Sequence, residues 1–165
     1  MFTFFRHHRS GFSLLELLVV ITIIGILSGI VFVNLQRARE HGNNAQIAAD
    51  IAQIQLALGT LRARGGTYPS TGGIGNFACL GANDCMWEGH HVGENTAVTT
   101  GLRGVMHTIP HSPYLQSGFR GYQYASTGTQ FMLRWFYFGE NRPCDPRGTG
   151  IGGSGFGITL CQYTR

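Results

Sequence analysis

Residues 11–33 read GFSLLELLVVITIIGILSGIVFV, and the reading of this stretch decides the fold. Across the 22 residues from Phe12 to Val33 the one charged side chain is Glu16, close to the outer edge of the run. As a helix rising about 1.5 Å per residue, the run extends about 33 Å, enough to cross a hydrocarbon core of about 30 Å. A carboxylate inside such a segment is unfavourable by a few kcal/mol unless it meets a partner, which makes Glu16 a candidate functional residue.

Two simpler explanations compete. A secretory signal peptide would be followed by small residues at a cleavage site. Here Asn34, Leu35, Gln36, Arg37, Ala38, Arg39 and Glu40 follow, with no A-x-A-like site, and they read as a helix continuing into water. A plain single-pass membrane anchor explains the length of the run. It leaves unexplained both Glu16 and the Gly11 that separates a short basic leader from the apolar segment.

Gly11-Phe12-Ser13-Leu14-Leu15-Glu16, preceded by Arg6 and Arg9 and followed by an apolar helix, resembles the processing site of type IV pilins and type II secretion pseudopilins. The resemblance is close over about the first 65 residues and general beyond them. It implies removal of residues 1–11 by a membrane-embedded prepilin peptidase, with leader cleavage between Gly11 and Phe12 and N-methylation of Phe12. It also implies insertion in the membrane, delivery to an inner-membrane assembly platform, and polymerisation with identical or related pilin subunits. Two departures stand out: Phe2, Phe4 and Phe5 make the leader partly apolar, and Val33 stands where many relatives carry a Pro.

The chemistry of the cut follows from its product. A freed α-amine titrates near 7.7–8.0 and is largely cationic at neutrality. Phe12 and Glu16 stand four apart, so within one helix they share a face and can pair. The alternative, which the resemblance implies, pairs Glu16 with the Phe12 amine of a neighbouring subunit and makes Glu16 an assembly residue. Only that second arrangement selects for register.

Composition bounds the rest. The chain has 165 residues, which suggests one domain, and loss of the leader leaves 154. Setting aside the anchor leaves roughly 130, enough for one modest core. The formal net charge is +4, but Arg6 and Arg9 leave with the leader, so ten arginines then face eight acids. Arg6 and Arg9 on one side of the apolar run match Arg37 and Arg39 on the other. The charge rule is therefore tied. The short leader and the cysteine-bearing remainder favour a cytoplasmic N-terminus and a globular domain outside, first membrane-anchored and then in an extracellular or periplasmic filament.

Beyond the membrane segment, Ile47, Ile51, Ile54, Leu58 and Leu61 repeat at four and three, one buried stripe of a continuing helix. Gly42, Asn43 and Asn44 interrupt good helix formers and predict a bend or local melting there. Gly65-Gly66 ends the helix. Residues 70–95 are glycine-rich and read as a long loop region. Val98, Leu102, Val105 and Ile109 repeat at helical spacing, weakened by Gly101 and Gly104. The C-terminal third alternates: Tyr122 and Tyr124, then Phe131, Leu133, Trp135 and Tyr137 on one face of a second strand, with a last strand over 156–163. The expected fold class is α+β, a pilin-like arrangement of a long N-terminal helix on a small antiparallel sheet. The expected organisation is leader 1–11, transmembrane and assembly helix 12–35, amphipathic helix 36–64, and globular part 65–165.

Four cysteines, Cys79, Cys85, Cys144 and Cys161, allow three pairings, and disulfides are the default outside the cytoplasm. The local pairs 79–85 and 144–161 are expected, the second resembling the C-terminal disulfide loop of many pilins. Zinc at Cys79, Cys85, His90 and His91 is the competing reading, but Cys-x5-Cys followed by adjacent histidines is not a standard spacing. Calcium, known in some pseudopilins, is not carried over, because the C-terminal loops offer chiefly Glu140 and Asp145. No metal and no cofactor is therefore expected. Without G-x-S-x-G, H-E-x-x-H or a P-loop there is no catalytic residue to name, and the chain reads as a non-enzyme. The alternative to a filament body is a minor tip subunit that captures a surface or nucleic acid, with Arg103, Arg120, Arg134, Arg142 and Arg147 among aromatics holding a single strand.

Overall fold

The computed structural model describes residues 12–165, apart from Pro113, Ser117, Pro146, Ser154 and Gly155 and the side chain of Val33. Helix α1 spans Leu14–Gly65, and two compact units divide the chain between Arg39 and Glu40. In the first unit the helix is apolar on every side. Leu18, Ile21, Ile24 and Leu27 are all exposed, and its most apolar window has none of its residues buried. A helix hydrophobic all round needs lipid or other helices about it. Thr22, one of its few polar residues, donates its hydroxyl to the Val19 carbonyl at 2.7 Å.

In the second unit α1 buries the stripe that its spacing predicts: Ile47, Ile51, Ile54 and Leu58. They pack on a five-stranded antiparallel sheet of order β1-β6-β7-β9-β8. Its strands are β1 (Gly73–Leu80), β6 (Tyr122–Ser126), β7 (Phe131–Phe138), β8 (Thr149–Gly152) and β9 (Ile158–Thr164). Leu133, Trp135 and Tyr137 of β7 lie in the same cluster as the helix stripe, while Phe136 joins Phe119, Ile158 and Leu160 in a second cluster. The period of two in the sequence thus separates two cores. The hairpin expected from Tyr122 and Phe131 onward is formed by β6 and β7, with Ser126 opposite Phe131.

Polar bonds fix the helix against the sheet. Tyr122 donates to Asp50 Oδ2 at 2.8 Å, and Tyr124 donates to the Pro69 carbonyl at 2.8 Å. Burial, and then the bond to Asp50, raises the Tyr122 hydroxyl above the usual phenol range; burial pushes Tyr124 up to about 12. Asn44 bonds to Phe138 as a strand would: its amide donates to the Phe138 carbonyl at 2.9 Å and accepts from the Phe138 N–H at 2.8 Å. The local melting expected at Gly42-Asn43-Asn44 is not seen: these residues are helical in α1. Asn44, a poor helix former, is held there by this pairing with β7.

Three stretches differ from the sequence expectation. Residues 70–95 are not a long loop: they contain β1, β2 (Asp84–Trp87) and β3 (His90–Gly93). Glu88 and Gly89, both at positive φ, join β2 to β3 as a two-residue turn. With β4 (Leu115–Gln116) and β5 (Phe119–Arg120) they build a second sheet of order β3-β2-β5-β4. Helix α2 covers Thr96–Arg103 rather than running to Ile109, capped by Asn95, whose side chain accepts from Val98 N–H at 3.1 Å. Gly101 sits in that helix because Pro69 lies against it: a Cβ there would stand 2.8 Å from the proline ring. Finally, β8 is an additional edge strand beside β9.

Candidate assembly site

The start of α1 is built from the hexapeptide at 11–16. Gly11, Arg6 and Arg9 lie outside the described residues. Phe12 is exposed and precedes the helix, and in the uncut chain its nitrogen is a peptide amide rather than the freed amine. Glu16 turns back instead. Its Oε2 accepts the Ser13 N–H at 2.9 Å, while Ser13 Oγ accepts the Leu15 N–H at 3.2 Å. This is a variant of the capping box: Glu16 reaches back to Ser13 N–H, while the Ser13 hydroxyl takes the N–H of Leu15 rather than of Glu16, so two N–H groups left open by the first helical turn are satisfied. The positive end of the helix dipole adds to the stabilisation of the carboxylate. The S-x-x-E signature of such a cap stands in the sequence at Ser13 and Glu16. Glu16 is exposed, so the carboxylate also faces outward, where it can accept from a cation of another chain.

Two disulfides lie in the second unit. Cys79 is joined to Cys85 across Cα atoms 5.2 Å apart, linking the end of β1 to β2. Cys144 is joined to Cys161 across 5.5 Å, tying the loop after β7 to β9. With both thiols oxidised, the zinc set of Cys79, Cys85, His90 and His91 does not assemble. His91 bonds to Asp84 at 2.7 Å, and Arg120 pairs with the same carboxylate. The bond with His91 and then the Arg120 guanidinium hold Asp84 below the usual carboxylate range.

The five arginines considered for nucleic acid do not converge. Arg134 lies between the rings of Phe77 and Trp87, at 4.2 and 5.3 Å, and donates to Gln162 at 3.0 Å. Arg120 is spent on Asp84, and the Arg142 guanidinium lies against Gly139. Arg147 lines a groove of about 700 Å³ beside Arg64 and Arg165, whereas Arg103 lines a separate polar cavity. Trp135 and Phe136 are core residues.

Comparison with known proteins bears on the same N-terminal region. The model of the prokaryotic N-terminal methylation motif matches residues 6–32. Type II secretion system core protein G of Aeromonas hydrophila is 36% identical over 66 residues, 40% of this chain and 46% of that protein. The protein of the same name from Pectobacterium carotovorum is 35% identical over 65 residues, 39% and 42% of the two chains. That from Escherichia coli K12 is 38% identical over 63 residues, 38% and 43%. The chain thus spans under half the length of these curated relatives. No solved structure matches it. The chain carries the prepilin-type N-terminal methylation motif and, over about two-fifths of its length, is similar to the core protein G of type II secretion systems.

Proposed function

We propose that this chain is a structural subunit, a pilin or pseudopilin, of a type IV pilus-like filament. The observation that carries the proposal is a helix apolar on all sides that begins at a capped acid inside the methylation motif. In the membrane, lipid surrounds that helix; in a filament, the equivalent helices of other copies would replace the lipid. The N-terminus lies on the cytoplasmic side and the disulfide-bonded unit outside, in the periplasm or on the cell surface. Prepilin peptidase cuts between Gly11 and Phe12, and the Phe12 amine is methylated. An inner-membrane assembly platform then draws the subunit into the polymer.

Glu16 acts at that step. In the chain described here it accepts from Ser13 N–H. After the cut, the cationic Phe12 amine of a neighbouring copy offers a stronger, charge-assisted partner. A neutral helix surface slides freely along another, whereas one acid and one amine fix the register. Replacing Glu16→Ala should leave the subunit processed and inserted but lower its recovery in sheared filaments at least tenfold. Ser13→Ala removes the cap, worth about 1 kcal/mol at the helix end, and should leave assembly largely intact. Equal assembly of Glu16→Ala and the parent chain would exclude the pairing. Equal losses in both variants would assign Glu16 to capping alone.

A further inference from the structure

The Cys79–Cys85 bond closes a small ring whose residues 81–83 form one wall of a polar cavity of about 310 Å³. The second wall is α2, where Thr99 and Arg103 stand four apart on one face. The third is the segment after α2, carrying His107 and His111. Glu94 lies at the margin, its Oε1 accepting the Thr99 hydroxyl at 2.6 Å.

The walls are built to stay in place. Gly81, at φ +70°, lies so close to the following segment that a Cβ would stand 2.5 Å from the Ile109 carbonyl oxygen and 2.6 Å from that of Pro110. Only glycine allows this approach, which locks the disulfide ring against the histidine-bearing segment. The disulfide holds the ring from its other side, and the Asn95 cap sets the start of α2. The cavity is therefore preformed, at the lower end of the roughly 300–1,000 Å³ usual for small-molecule sites.

Its chemistry is specific. The guanidinium of Arg103 offers a planar fork suited to a carboxylate. The two imidazoles add ring N–H donors to the lining, and Glu94 with the amide of Asn83 supplies acceptors for hydroxyl groups. No Phe, Tyr or Trp is among the lining residues, so nothing there would stack a nucleobase. Among the described residues no three His, Cys, Asp or Glu side chains cluster as metal ligands, which argues against a cation as the occupant. We propose that this cavity binds a small hydroxylated carboxylate with the chemistry of a sugar acid, its carboxylate at Arg103 and its hydroxyls toward Glu94 and Asn83.

The test uses the full chain, isotopically labelled in detergent micelles, titrated with sodium glucuronate and followed by amide chemical shifts. Because it reads monomers, it is independent of filament assembly. Saturable shifts confined to residues 81–83, Arg103, His107 and His111 are expected, with glucose and acetate each at least about tenfold weaker, since each lacks one half of the contacts. Arg103→Gln should weaken glucuronate roughly tenfold or more, Arg103→Lys should fall between, and Arg147→Gln, outside the cavity, should change nothing. Shifts that never saturate, acetate binding as well as glucuronate, or an unaltered Arg103→Gln titration would each overturn the proposal.

Discussion

The two halves of α1 share one backbone and differ in what surrounds them. From Leu14 to Phe32, Leu, Ile and Val cover every side, and residues such as Leu18 and Ile24 are 56% and 55% exposed. After Glu40, Ile47, Ile51, Ile54 and Leu58 are fully buried in one stripe, with polar residues elsewhere on the helix. A stripe needs a single partner, here the sheet. An apolar cylinder needs an apolar surround, lipid or other helices.

The sharpest way to break this contrast is to make one substitution in both halves. Ile51→Ala removes packing from a filled core and should lower the stability of the second unit by about 2–5 kcal/mol. Ile24→Ala, on the exposed apolar surface, should change that stability by less than about 0.5 kcal/mol. Denaturant unfolding of both variants in micelles, followed by near-ultraviolet circular dichroism, reads the difference. Equal losses would mean that the first half is also part of the folded core.

The disulfides sharpen it further, because both lie in the second unit. Cys144 and Cys161 are separated by 17 residues, and replacing both by Ser should destabilise that unit by about 3 kcal/mol; for Cys79 and Cys85, 6 apart, about 2 kcal/mol is expected. Neither change should alter membrane insertion, measured by carbonate extraction of the membranes.

The smallest effect is one of pH. The raised Tyr122 and Tyr124 hydroxyls remain protonated in the folded unit where the unfolded chain would ionise near pH 10. Their contribution is complete below pH 10 and is lost as pH rises toward the folded values, so the unfolding midpoint should fall progressively above pH 10. Tyr124→Phe, which removes one such group, should flatten that fall. An unchanged slope would mean that Tyr124 ionises alike in both states.

Much of this organisation is legible in the sequence where a period is long enough to read. The apolar run, the isoleucine stripe of α1 and the alternation of β7 each repeat over eight residues or more. Strands β1 to β3 escape because glycines dilute their alternation and because Glu88-Gly89 lacks the Asn-Gly signature of a tight hairpin turn. Helix α2 stops early because Gly104 caps it, although Val105 and Ile109 continue the apolar spacing into the same core. At the N-terminus, the isolated charge of Glu16 stands out, whereas the role of Ser13 needs its two bonds to be seen. The cavity around Arg103 is not legible at all, since its three walls come from separate segments brought together by Gly81 and a disulfide.

The central claim, that the apolar half of α1 leaves the membrane for a filament after a cut beside Phe12, is tested most directly by intact mass and N-terminal sequencing. The material is the protein from sheared surface or pseudopilus fractions of its native cell, compared with the membrane fraction. A chain beginning at Phe12 and heavier by about 14 Da, one methyl group, in the sheared material is the predicted result. A chain still beginning at Met1 and confined to the membrane would contradict it, leaving the same helix as a plain anchor.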